Sequence, residues 1–406
     1  MANRVVVTGL GVISPIGAGV RDFWDKLCQG QNGISEITAF NVNKFTVTRG
    51  GEIKDFNPVQ FLANTHASKL ARTSQLAVAA AQMAKDDANI TSFADKTRVG
   101  VCIGTTMGNQ SIVEDDHDIR ISNNPNTIPP SIFAYPDSYI SGSVSKHLGA
   151  EGPSITIPTA CAAGNYAIGQ GSELIQSGAA DIVFVGGSDG LSRSCFALFH
   201  RLGAMAPDIC QPFDKNRKGM MVSEGAGVLV LENLETALKR GAPIYAELLG
   251  YGLSCDAHHP TAPHPEGLGA QIAMNNALKD AKIKKEQISY ISAHGTGTPA
   301  NDSTESKALQ SVFGSLLDQI PTSSIKSMLG HTMGAASAIE AVASALSIKH
   351  QVLPPTMNYS TPDPECITNV IPNKSIDSSV HTVLSNSFAF GGNICSIILG
   401  EIDNVE

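Results

Sequence analysis

Short runs of β-branched residues alternate with longer alanine-rich stretches along this whole chain, and that alternation restricts it to an α/β architecture. The predicted strands are Arg4–Thr8, Val99–Gly104, Ile182–Gly186, Gly227–Leu231, Ile244–Tyr251, Tyr290–Ala293 and Thr382–Ser385. The predicted helices are Ser68–Asn89, Ala162–Ser177, Glu266–Ala281, Ser303–Phe313 and Ala335–Lys349. The strand cores are nearly continuous apolar runs, as expected where helices cover both sheet faces. With 406 residues and 42% hydrophobic composition the chain can bury a large core, which excludes a disordered protein. Its net charge of −9 argues against a nucleic-acid partner. No apolar run reaches the roughly 18–20 residues of a membrane span. The eight cysteines (28, 102, 161, 195, 210, 255, 366 and 395) contain no C-x-x-C pair, which predicts reduced thiols and a cytoplasmic protein.

A weak echo divides the sequence. Thr159-Ala160-Cys161-Ala162-Ala163-Gly164 opens one small-residue helix, and Gly330-His331-Thr332-Met333-Gly334-Ala335-Ala336 opens another about 170 residues later. Glycine-dense turns feed apolar strands at 224–230 and again at 390–396. Two similar halves, residues 1–250 and 251–406, account for this pattern.

Cys161 sits at a strand-to-helix turn. Unpaired N–H groups and the helix dipole there favour an anionic sulfur, predicting a thiol pKa lowered by about a unit or more from ~8.5. The same N–H groups can hold an oxygen that becomes negative during acyl transfer. His294 follows a predicted strand in Ala293-His294-Gly295-Thr296-Gly297-Thr298, and His331 begins a helix. Imidazoles in turns can donate a hydrogen bond or exchange a proton near neutral pH. Residue type alone leaves structural roles open for all three, and spacing does not show that they converge.

Taken together, Thr159-Ala160-Cys161, His294-Gly295-Thr296-Gly297-Thr298, Lys326-Ser327-Met328-Leu329-Gly330-His331 and Asn386-Ser387-Phe388-Ala389-Phe390-Gly391-Gly392 resemble the β-ketoacyl-acyl-carrier-protein synthases. The match is to the elongating ketosynthase II group, similar to the ketosynthase subunits of type II polyketide systems. It covers essentially the whole chain in the family's order. The resemblance implies the thiolase fold, a five-layered αβαβα arrangement with two pseudo-duplicated halves, and a dimer, either homodimeric or paired with a homologous chain-length factor.

The resemblance also implies the chemistry. Cys161 takes an acyl chain from an acyl carrier protein, and a malonyl carrier protein then loses carbon dioxide and attacks that thioester. His294 and His331 stabilise the enolate, Lys326 paired with Glu340 supports them, and the N–H groups of Cys161 and Phe390 form the oxyanion hole. Phe390 is the gate beside Gly391, Thr296 and Thr298 hold the pantetheine arm, and Met107 lines the acyl tunnel. No metal or cofactor is implied beyond the carrier's 4′-phosphopantetheine. Lys69 and Arg72, with Lys215, Arg217 and Lys218, are expected to form a basic docking patch for the acidic carrier.

Several positions depart from the family pattern: Ala162-Ala163 for Thr-Ser, Ala389 and Ser223 for glycines, and Asn393-Ile394 for Thr-Asn. All are expected near the pocket or gate, where they bear on acyl-chain preference. Two other readings compete. Gly186-Gly187-Ser188-Asp189-Gly190 has the G-x-S-x-G form of a serine-hydrolase elbow. A chain-length-factor-like subunit would share the fold without the nucleophile. Gly9-Leu10-Gly11 lacks the third glycine of a dinucleotide loop, and Cys255, His258, His259 and His264 lack a metal-ligand spacing.

Overall fold

The computed structural model describes residues 4–62, 69–122 and 130–402. Its main strands are β1 (Val5–Ser14), β2 (Val99–Gly104), β3 (Ser154–Ile157), β4 (Ile182–Asp189) and β5 (Gly225–Asn233), then β6 (Ala246–Cys255), β7 (Tyr290–Ser292), β8 (Thr322–Ser323), β9 (Thr382–Phe388) and β10 (Asn393–Gly400). The helices that frame them are α1 (Arg72–Asp87), α2 (Gln110–Ser122), α3 (Ser138–Leu148), α4 (Ala163–Gln176), α5 (Arg193–Arg201), α6 (Leu268–Ala281), α7 (Pro299–Phe313) and α8 (Ala336–His350). Ser68, the predicted start of the first long helix, lies outside the described residues.

Strand order exposes the duplication. In the first half β1 is antiparallel to β5, β5 antiparallel to β4, β4 parallel to β2, and β2 parallel to β3. The second half repeats those senses with β6, β10, β9, β7 and β8. The two sets meet edge to edge where Val5–Val7 oppose Leu248–Ala246. Residue 251 lies inside β6. Helices α1 and α3 cover the outer face of the first set, α4 and α8 fill the space between the sets, and α6, backed by α7, covers the second. This is the five-layered αβαβα arrangement of the thiolase fold.

Small residues permit this closeness. The predicted first strand stops at Thr8, just before Gly9 and Gly11, yet β1 continues to Ser14. Both glycines face α1, where an ideal Cβ on Gly9 would lie 2.3 Å from the Ala84 carbonyl oxygen and one on Gly11 1.9 Å from that of Ala80. Their function is helix-on-strand contact. In the middle layer α8 is buried without interruption from Ala336 to Ile348, as an alanine- and serine-rich helix packed on all sides must be. It crosses α4 at Gly164, whose Cβ would lie 2.6 Å from Ala338 N. That crossing brings the N-termini of both central helices, and the turns that precede them, to one place.

Candidate active site

Strand β3 leads through Thr159 into a 3-10 turn, Ala160–Ala162, and then into α4. Ala160 has φ 51°, a left-handed conformation that costs an alanine roughly 1–2 kcal/mol. Met333 has φ 52° at the corresponding place before α8, in the 3-10 turn Met333–Ala335. The two echoing segments are therefore one strained elbow used twice, with Cys161 on the first and Gly334 on the second. Such strain concentrates at functional sites.

Cys161 is buried, and its sulfur faces the backbone N–H groups of Cys161 itself and of Phe390. Those donors and Lys326 favour the thiolate, but burial outweighs them and pushes the thiol up to about 12. This corrects the expectation of a lowered pKa. The dipole argument assumed a water-accessible helix end, whereas here the anion would lose its hydration.

His294 and His331 approach from the second half, their ring centroids 5.5 Å apart and nearly perpendicular at 83°. Both are buried, and burial, reinforced by Lys326, holds both far below the usual imidazole range, so they are neutral. Lys326 Nζ lies 3.4 Å from His294 Nδ1 and also pairs with Glu340 Oε1. An ammonium can only donate, so His294 Nδ1 accepts and its proton is assigned to Nε2. The turn carrying His294 is fixed by Glu305, whose carboxylate accepts the N–H groups of His294 and Gly295 at 2.8 Å each. Sequence reading missed Glu305. Its signal was an acid in the second turn of a helix that follows a histidine turn, too common a pattern to single out.

Cys161, His294 and His331 open on one cavity whose mouth reaches solvent. Thr296, Thr298 and Phe390 line it too, and the hydroxyls of Thr296 and Thr298 are 2.9 Å apart. Among the departures, Ala389 and Ile394 line the cavity. Ala389 is extended at φ −133°, a conformation open to any residue, so its methyl strains nothing. Ser223 does not line the cavity. Its N–H donates to the His331 carbonyl at 3.0 Å, and its hydroxyl to Gly51 O at 3.0 Å, behind the site. Met107 is likewise set back, in an apolar cluster with Cys195, Phe196, Met333 and the partly buried Phe390. Gly391 also lies off the lining, at φ 82°, with its N–H on Pro260 O at 2.8 Å. The loop supplying that carbonyl lines the mouth through Asp256, His259 and Thr261, of which the sequence analysis weighed only His259, in a group without metal-ligand spacing.

Two of the predicted docking cations are not free. Arg72 makes a bidentate pair with Glu224 at 3.1 and 2.9 Å and donates to Ile53 O. Arg217 is buried, pairs with Asp363 and donates to the carbonyl oxygens of Asp214 and Pro299. Each satisfies an inward carboxylate, which no spacing rule could reveal. Lys69, Lys215 and Lys218 are exposed. The serine-hydrolase reading also fails: Ser188 is buried within β4 and donates to Thr73 O at 2.8 Å, and no imidazole among the described residues bonds to it.

The beta-ketoacyl synthase N-terminal domain matches residues 2–237, and the C-terminal domain of the same family matches residues 245–360. A 3-oxoacyl-[acyl-carrier-protein] synthase 2 from Synechocystis sp. is 43% identical, over 97% of this chain and 98% of its own length. Among solved structures, one described as the ishigamide ketosynthase/chain length factor is 43% identical with a TM-score of 0.96, over 99% of this chain and all of its own. A second, a type II polyketide acyl carrier protein in complex with its ketosynthase bound to the hexaketide, is 36% identical with a TM-score of 0.90 over the same shares. With both family domains matched in order across the two halves that carry Cys161 and the paired histidines, this chain belongs to the β-ketoacyl synthase family.

Proposed function

We propose that this chain is the catalytic subunit of a β-ketoacyl-acyl-carrier-protein synthase of fatty-acid or type II polyketide biosynthesis, working through Cys161, His294 and His331. One observation carries the reading: a buried sulfur with two backbone N–H groups beside it shares a cavity with two neutral imidazoles. A chain-length-factor-like role would need no such set.

In the first half-reaction the Cys161 sulfur attacks an acyl thioester on a carrier protein. The N–H groups of Cys161 and Phe390 hold the oxygen as it gains charge, and the thiol proton ends on the departing pantetheine sulfur. In the second, malonyl carrier protein loses carbon dioxide. His294 Nε2–H and the His331 imidazole donate to its thioester oxygen, stabilising the enolate. One such donor is worth roughly 3–4 kcal/mol. Enolate carbon attacks the acyl carbonyl, the Cys161 sulfur leaves and takes up a proton, and a β-ketoacyl chain two carbons longer remains on the carrier. Neutral imidazoles suit this work, because they donate without surrendering a proton to the enolate. Loss of carbon dioxide drives the step, so the reading requires no cofactor beyond the carrier's phosphopantetheine. Thr296 and Thr298 hold that arm along the cavity wall. Incubation with acyl and malonyl carrier proteins, followed by intact mass, tests the whole scheme.

Carrier docking rests on Lys69, Lys218 and Arg201. All three are exposed with no carboxylate partner among the described residues, and Arg201 ends the helix whose Phe199 lines the cavity. Charge reversal at all three is expected to raise KM for carrier-bound substrates about tenfold, with kcat little changed and the effect fading at high salt. An unaltered KM would remove the patch.

The partner chain is proposed to add to the β3 edge. In the second half the equivalent edge strand β8 is covered, since Thr322 N donates to Asn369 O and Ile371 N to Thr322 O, each at 3.0 Å. The outer side of β3 has no such cover among the described residues, and bare edges recruit strands. The ketosynthase/chain-length-factor neighbour supports a homologous partner, either a second copy or a relative. A monomer in native mass spectrometry, with and without a co-expressed relative, would contradict this. A cytoplasmic location is proposed on the eight free cysteines. No helix among the described residues is long and apolar enough to cross a membrane.

A further inference from the structure

Asp189, the last residue of β4, is fully buried and does not line the active-site cavity, yet its carboxylate gathers donors from both halves of the molecule. Oδ1 accepts the Thr105 hydroxyl at 2.8 Å and Met107 N–H at 2.9 Å, and Oδ2 accepts Thr106 N–H and Gly334 N–H, both at 2.7 Å. The first three donors belong to the segment that follows β2. That segment lies against the nucleophile's helix, since a Cβ on Gly104 would sit 2.3 Å from the Ala163 carbonyl. The fourth belongs to the elbow three residues beyond His331. Gly334 itself rests on Thr105, its would-be Cβ 2.6 Å from Thr105 Cα and 2.7 Å from Asp189 Oδ2. Two chain segments, one from each half, thus converge on one carboxylate behind the cavity.

We propose that Asp189 is a positioning residue, which sets the spacing between Cys161 and His331 by clamping the His331 elbow of the second half onto the nucleophile's floor in the first. The inference rests on the function proposed above for what that spacing achieves, but not for the clamp itself. Four donors are what a fully ionised carboxylate can accept, so a neutral amide cannot substitute: in Asp189→Asn the N–H₂ must face at least one backbone N–H, of Met107 or of Thr106 and Gly334, whichever way it turns. Burial raises Asp189 to about 6 and the four donors oppose the rise, so the carboxylate is ionised at neutral pH. Its charge also works against a Cys161 thiolate.

Three readouts of Asp189→Asn separate positioning from general support. Decarboxylation of malonyl carrier protein is expected to fall about 100-fold, the scale of an ångström-sized misplacement. Acyl loading of Cys161 should change less than about threefold, with its pH profile moving to lower pH because an anion near the sulfur is gone. A crystal structure should show the His331 ring displaced from its present place 5.5 Å from His294. Thr105→Val, which removes one donor and leaves the charge, should cost decarboxylation about fivefold without moving the loading profile, and it carries the test if Asp189→Asn does not fold. An unmoved His331, or equal losses in both partial reactions, overturns the proposal. A displaced His331 in a chain whose wild type neither loads nor decarboxylates would uphold the clamp and defeat the ketosynthase reading instead.

Discussion

Cys161→Ala is expected to abolish both the acyl adduct and the β-ketoacyl product, while the protein keeps its fold. The side chain is small and buried, so its loss leaves a void of about one sulfur atom, and the elbow geometry is already held at Ala160 rather than at the cysteine. The other seven cysteines cannot take over, because none of them lines the cavity. Intact mass after incubation with acyl carrier protein reads the result, and an adduct surviving on the variant would place the nucleophile elsewhere. His294→Ala and His331→Ala should retain most loading while losing 10²–10³-fold in condensation, as expected for donors that act on the developing enolate. Equal loss of loading in all three variants would break that division. The raised thiol adds a pH signature. Only the thiolate reacts with an alkylating agent, and with a pKa near 12 its population climbs about tenfold per pH unit through the neutral range. Alkylation of Cys161 by iodoacetamide should therefore rise steadily from pH 6.5 to 9 without levelling off. A plateau near neutrality would mean that a stable anion exists.

What the sequence disclosed, and what it hid, follows from the range of the interactions involved. Strand and helix periods are local, so the alternating layers were legible, as were the two elbows, because each is a run of small residues before a helix. The predicted first strand ended too soon, at Thr8, because Gly9 and Gly11 serve an approach to α1 some 70 residues away in the chain. Cys161 and the two histidines were legible as residues in turns, but their meeting depends on long-range packing such as the crossing of α4 over α8 at Gly164. Charges were read worst. Arg72 and Arg217 look like surface cations in sequence and are consumed by Glu224 and Asp363, each more than 140 positions distant. Cys161 was given a lowered pKa by the dipole of its own helix, when the larger effect is the protein packed over it. Burial is a property of the whole fold, and a sequence pattern carries little of it.

Lys326 and Glu340 offer the other large effect, because the two charges sit in the middle of the molecule at about 1% exposure each. Lys326→Met leaves the Glu340 carboxylate without its cation, at a cost of roughly 3–5 kcal/mol. The loss should depend on pH. Burial already raises Glu340 to about 7 with the lysine present, and removing the lysine raises it further. Above about pH 7 the wild-type carboxylate is ionised while that of the variant holds its proton or bears the unpaired charge. The stability gap between the two proteins, read as the difference in Tm, should therefore widen as pH rises beyond 7 and narrow below it. Replacing both partners, Lys326→Met with Glu340→Met, removes the stranded charge, and most of the stability should return. Activity should not. His294 Nδ1 would have lost the ammonium that accounts for its tautomer, so Nε2 would no longer be reserved as the donor, and condensation should stay depressed about 100-fold while loading recovers. Recovery of both in the double variant would show that the pair serves only to fill the interior; recovery of neither would show that its role in folding cannot be replaced by apolar packing.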